Sequence, residues 1–347
     1  MTPNQAPFLE PMDDFLPRFE DETRFTMDYS EFVFFLPPQN SEKLESPQEI
    51  STLKGYENRL MVKTNLSKKQ LGFNILLLAL LSIAAGWFGI LLNLLTGQTN
   101  LALSVFLALP PMGVLILNLV YKNTDIYPGL KIQLKNNTMG YILAFLLFPV
   151  LVTITVIVGY LAGFISVDGL VNQGVGSLIG AVVLLFLTDL IKNCLEEFTW
   201  RGFFTQHFKN LGTHDLLNHL FTGIIWVFWH IPFWLFLLDK ASISAFSSLN
   251  TATFILMGSL LLLASSLVFG EIRLLTGSVW PAVILHTSLN AVTIGLLLNS
   301  FVSVSPSAEL WISPGGNSIL MILMVVMVGL GLYFFRTRKK ALPLNLQ

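Results

Sequence analysis

Beyond Gln70 the chain is a series of long apolar runs separated by short polar or glycine- and proline-bearing breaks. The runs are continuous rather than alternating, the pattern of helices in lipid and not of barrel strands with one polar face. Eight of them predict membrane helices, at about 71–95, 101–121, 138–164, 176–199, 216–238, 251–270, 279–300 and 317–335. Each is close to the ~20 residues demanded by a hydrocarbon core of about 30 Å. The second contains Pro110-Pro111, where a kink is expected. The predicted fold class is all-α, a polytopic membrane bundle of about eight transmembrane helices.

Composition supports this and separates off the N-terminus. Hydrophobic residues make up 53% of the 347 and charged residues 12%, about half the roughly 25% charge of a soluble domain. Of the 21 acidic and 20 basic residues, 12 and 8 precede Gln70. Residues 1–68 are therefore read as an acidic, proline-rich tail that cannot bury enough apolar surface to offset its ordering entropy. Residues 69–340 form the membrane domain. The first 20 residues are polar and acidic, unlike a secretory signal. A net charge of −1 without a large basic patch argues against nucleic acid as a partner, and the single Cys194 argues against a disulfide framework.

Lysine and arginine placement predicts orientation. With eight helices, Lys63, Lys68, Lys69, Lys122, Lys131, Lys135, Arg201, Lys209, Arg273, Arg336, Arg338, Lys339 and Lys340 all fall on one side, and Lys240 alone on the other. By the positive-inside rule both termini are expected in the cytoplasm.

Ionisable groups within a membrane are costly and mark function by default. Glu196-Glu197-Phe198-Thr199-Trp200-Arg201 closes the fourth helix. Glu197 and Arg201 are four apart and can pair, whereas Glu196 points roughly 140° away from Arg201 in an ideal helix and is expected to be free. His230 follows Trp226 by four in the fifth helix, and His286 and Asn290 are four apart in the seventh, so that Asn290 could orient the imidazole. His207, His214 and His219 read as solvated loop histidines, and Gly270-Glu271-Ile272-Arg273 with Thr276-Gly277-Ser278 as a tight structural connection. Asp189 and Lys192 are expected to pair. One glutamate, two histidines and an asparagine suffice to activate a water and hold an oxyanion, and Glu196, His230 and His286 would also suit Zn²⁺. The spacing does not decide between these.

Glu-Glu-x-x-x-Arg, an aromatic-x-x-x-His on the next helix and His-x-x-x-Asn two helices later resemble the CPBP intramembrane proteases, over residues 180–300. That family includes the type 2 CAAX prenyl endopeptidases and bacteriocin-processing and immunity proteins. The resemblance implies a cavity open to the cytoplasm. It also implies Glu196 as water activator, Glu197 with Arg201 as supports, His230 as the second-motif histidine, and His286 and Asn290 as oxyanion holders. The substrate would be a membrane protein or peptide, prenylated in the CAAX branch, and a metal is disputed for the family. Trp226 departs from the usual phenylalanine, a change that narrows the cavity. The signatures His-Glu-x-x-His, Gly-x-Ser-Gly and Gly-x-Gly-Asp are absent. Read from the residues alone, a proton- or cation-coupled transporter and a non-catalytic scaffold stay open as alternatives.

Overall fold

The computed structural model describes residues 66–121, 129–238, 241, 243–244 and 247–341. Residues 1–65 of the acidic tail, with Lys63, and Lys122 and Lys240 lie outside these residues, as do the side chains of Lys135, Lys339 and Lys340. In chain order the elements are α1 (Lys68–Thr96), α2 (Thr99–Tyr121), α3 (Leu134–Leu161), β1 (Ile165–Ser166), α4 (Asp168–Gln173), α5 (Val175–Glu197), α6 (Thr205–Leu211), α7 (Asp215–Pro232), α8 (Thr251–Thr276), α9 (Trp280–Leu298), β2 (Ser303–Val304) and α10 (Ile319–Ala341). Wide π-helical turns, Phe198–Phe204 and Phe233–Leu237, link α5 to α6 and extend α7. Eight helices among the described residues are long and apolar enough to cross a membrane. The all-α polytopic bundle expected from the sequence is therefore found, with one small departure. Ile165 pairs with Val304, and Ser166 with Ser303, in a short antiparallel ladder.

Local chemistry sets the helix ends. Ser67 and Gln70 form a reciprocal capping box that opens α1, and Asn250 Oδ1 accepts from the Thr253 amide at 3.0 Å to open α8. Gly277, at φ 66°, stops α8 in the left-handed conformation that glycine adopts without a Cβ penalty. Two predicted ends move. The fourth span continues through the π turn to Leu211, and the sixth runs to Thr276 rather than 270. Glu271 and Arg273 are thus buried helical residues, and the tight connection shrinks to Gly277-Ser278. The connection is structural: the Val279 amide donates to Gly129 O, and Trp280 Nε1 to Leu130 O at 2.7 Å.

Two prolines within the helices, Pro110 and Pro149, make sockets for neighbouring helices. Pro110 has no N–H to give the Phe106 carbonyl four residues back, and Trp229 Nε1 on α7 donates to that oxygen at 3.2 Å. The Trp229 and Phe106 rings stack at 4.0 Å. Pro149 leaves the Phe145 carbonyl in the same position, and Ser288 Oγ on α9 donates to it at 2.8 Å. Freed carbonyls are satisfied across helices in this way, as a bilayer requires.

Helix α9 packs along α5 on one side and α3 on the other, and α8 packs against α7 and α10. Two thirds of the most apolar stretch of α9 (67%) is buried, whereas none of the corresponding stretch of α5 is. Ile179, Val183, Leu184, Leu187 and Ile191 on α5 are exposed, the arrangement expected of a lipid-facing surface. The same helix is buried near its end, at Asn193, Glu196 and Glu197.

Candidate active site

The site is built where the last turn of α5 and the following π turn meet α7, α8 and α9. A π turn is costly and recurs at functional sites. Here it carries Arg201, and the Thr205 amide and hydroxyl both donate to the carbonyl of Trp200, five residues back. Arg201 Nη1 donates to Glu197 Oε1 at 3.1 Å, with both side chains fully buried, so the predicted i, i+4 pair is present. His286 Nδ1 lies 2.9 Å from the same oxygen. A carboxylate only accepts, so His286 is protonated on Nδ1 and its Nε2 faces away from Glu197.

Glu196 is not free. Trp226 Nε1 donates to Glu196 Oε2 at 3.2 Å, a bond that the usual phenylalanine of the second motif could not make. A helical wheel shows only neighbours on the same helix, and this partner comes from α7. The Trp226 indole is the hub of the site. The Arg201 guanidinium lies 4.4 Å from its ring centre, and the rings of His286 and His230 lie 5.4 and 5.8 Å from it. The Phe269 ring of α8 also lies by Arg201, at 4.7 Å, and is 5.8 Å from the Trp226 ring. A guanidinium over two adjacent aromatic rings gains cation–π attraction where water is excluded.

His230 is half-buried, and its Nδ1 lies 3.0 Å from the Trp226 carbonyl. A carbonyl also only accepts, so Nδ1 carries the hydrogen and the neutral ring keeps an acceptor at Nε2. Asn290 does not touch His286 as expected. Its Nδ2 donates to Asn193 Oδ1 at 3.2 Å, and Asn193 Nδ2 donates to Thr287 Oγ1 at 3.2 Å. Asn193 was missed by the sequence reading, because an asparagine inside an apolar run carries no spacing signal.

Among the described residues no group of three or more His, Cys, Asp or Glu could hold a metal ion, so the zinc set Glu196, His230 and His286 is not assembled as a ligand cluster. A cavity of about 420 Å³ lies elsewhere, lined by the start of α3 (Asn137 to Leu143) and by Ile272, Thr276, Leu332 and Phe335.

The remaining histidines correct the expectation of solvated loops. His207 is buried, bonded to the Phe203 carbonyl at 3.0 Å and stacked on the Phe203 ring. His219 is buried 2.9 Å from Glu271, and only His214 is exposed. Arg336 Nε and Nη2 clamp Glu271 at 2.5 and 2.8 Å, and Arg336 also reaches Asp215, which holds Lys209. Asp189 and Lys192 pair as predicted, at 3.8 Å.

Comparison with known proteins bears on the same stretch of chain. No curated protein matches the sequence. Residues 176–292 match the family model described as type II CAAX prenyl endopeptidase Rce1-like. This span contains Glu196, Glu197, Arg201, Trp226, His230, His286 and Asn290, the residues that converge from α5, α7 and α9. Over this stretch the chain is similar to the Rce1-like type II CAAX prenyl endopeptidases, which supports the likeness to the CPBP intramembrane proteases.

Proposed function

We propose that the protein is an intramembrane endopeptidase that cuts a peptide bond in a membrane-associated or lipidated protein or peptide, prenylated clients being the class suggested by the family description. One observation carries the reading: a carboxylate and two imidazoles from three helices gather around a single buried indole, Trp226. Glu196 Oε2 is occupied by the indole N–H, and Oε1 takes a proton from a water. His230 Nε2 accepts the water's second hydrogen and so aims its lone pair at the scissile carbonyl. For His286 to donate through Nε2 to the developing oxyanion while Nδ1 stays on Glu197, the ring carries both protons. The Glu197 and Glu196 carboxylates together balance the charges of this ring and of Arg201. Asn290 supplies a second oxyanion donor, and the proton taken by Glu196 passes to the leaving amine. No step is routed through a metal.

The orientation proposed with this reading keeps both termini and the Glu196 end of α5 on the cytoplasmic side, from the lysine and arginine asymmetry. The test compares peptide termini in host membranes carrying the wild-type chain or Glu196→Gln. Termini that appear only with wild type are the expected result and identify the substrate. Identical termini with equal amounts of folded protein would sink the peptidase reading and favour transport or scaffolding.

A further inference from the structure

Asn193 belongs to none of the three motifs, yet it is fully buried one turn before Glu197, at the α5–α9 interface. Its hydrogen bonds allow a single arrangement. Thr287 Oγ1 donates to the Val283 carbonyl at 2.7 Å, so its one hydrogen is spent and it can only accept from Asn193. Asn193 must therefore turn its Nδ2 toward Thr287, which leaves Oδ1 for Asn290. Facing an oxygen, Asn290 must in turn present its own Nδ2. A chain that begins at a backbone carbonyl of α9 thus ends by fixing which way the Asn290 amide faces.

We propose that Asn193 is a positioning residue for the oxyanion donor, an inference that rests on the endopeptidase reading above. Asn290 has two hydrogens on Nδ2. Asn193 holds one, and the other is presented to the oxyanion. In the flipped amide the carbonyl oxygen would stand where negative charge develops, so the flip replaces attraction with repulsion. Thr287, through Asn193, makes the flipped state leave a buried donor or acceptor unpaired at each link.

The experiment is a double-mutant cycle on the full-length chain in lipid vesicles, with an internally quenched peptide carrying a farnesylated cysteine as the probe. Asn193→Leu keeps the volume and removes both hydrogen bonds. The expected result is a kcat about tenfold lower with KM within about twofold of wild type, against a loss of roughly 10²–10³ for Asn290→Ala. In the Asn290→Ala background Asn193→Leu should cost nothing further, because a residue acting through Asn290 has nothing left to position. Losses that multiply would show that Asn193 supports the fold at large and overturn the proposal, as would wild-type kcat in Asn193→Leu. Thr287→Val, which frees Asn193 to turn, runs through the same cycle and decides the matter if the leucine variant fails to fold. A wild-type chain that leaves the probe uncut and gives the same host-membrane termini as Glu196→Gln removes the endopeptidase reading and this inference with it. Multiplying losses in an active enzyme remove the inference alone.

Discussion

Two buried clusters in this molecule use the same three residue types to opposite ends. Glu271, Arg336 and His219 tie α8, α10 and α7 together, and Glu197, Arg201 and His286 tie α5, the π turn and α9. In the first, both carboxylate oxygens are used and the guanidinium forks across two acids, leaving His219 Nδ1 as its unpaired atom. In the second, Glu197 offers Oε1 to both partners while Oε2 has no hydrogen bond, and Arg201 leaves Nε and Nη2 unpaired. Buried polar groups are normally satisfied, so the second cluster holds a hydrogen-bonding capacity that the first has used up. The saturated cluster is a fastening. The unsaturated one, one residue along from Glu196, can follow a change of charge beside it.

This contrast can be broken by experiment. Glu271→Ala leaves Arg336 Nε and His219 Nε2 without their acceptor, with Asp215 the acid still on Arg336, and should lower stability by about 3 kcal/mol, measured by thermal unfolding in micelles. Cleavage per folded molecule should be unchanged, and lost cleavage with stability retained would erase the distinction between the clusters. Gly270→Ala acts at the same fastening. A Cβ there would lie 2.0 Å from His219 Nδ1, so the ring must move off Glu271, at a cost of about 1–3 kcal/mol in the same assay. On the catalytic side, Trp226→Phe keeps an aromatic face under Arg201 and removes only the N–H to Glu196. The expected result is a kcat about tenfold lower, equivalent to ~1.4 kcal/mol, with little change in the unfolding midpoint. A variant as active as wild type would mean that the indole packs without positioning Glu196.

The bundle was legible because the signal for a membrane helix is local: a run of about 20 apolar residues declares itself. The ends were less so. The fourth span runs on to Leu211 because a π turn keeps the chain helical past Glu196, Glu197 and Arg201, where composition suggests a stop. Within the site, the Glu197–Arg201 pair could be read from a spacing of four. The His286 partner could not, since it sits 89 residues from Glu197 and depends on α9 lying against α5. For the same reason His219 and Arg336, 52 and 65 residues from Glu271, looked like unrelated polar positions at helix ends.

The span of 65 residues between Glu271 and Arg336 has a consequence for how the protein is made. A ribosome adding 5–20 residues per second emits Glu271 roughly 3 to 13 s before its guanidinium partner. During that interval α8 carries a carboxylate in an apolar segment with only His219, synthesised earlier, to meet it. The last helix is therefore not an appendage to a finished bundle. Its arrival completes the neutralisation of α8, and nascent chains that stop short of Arg336 should be the ones that membrane quality control removes.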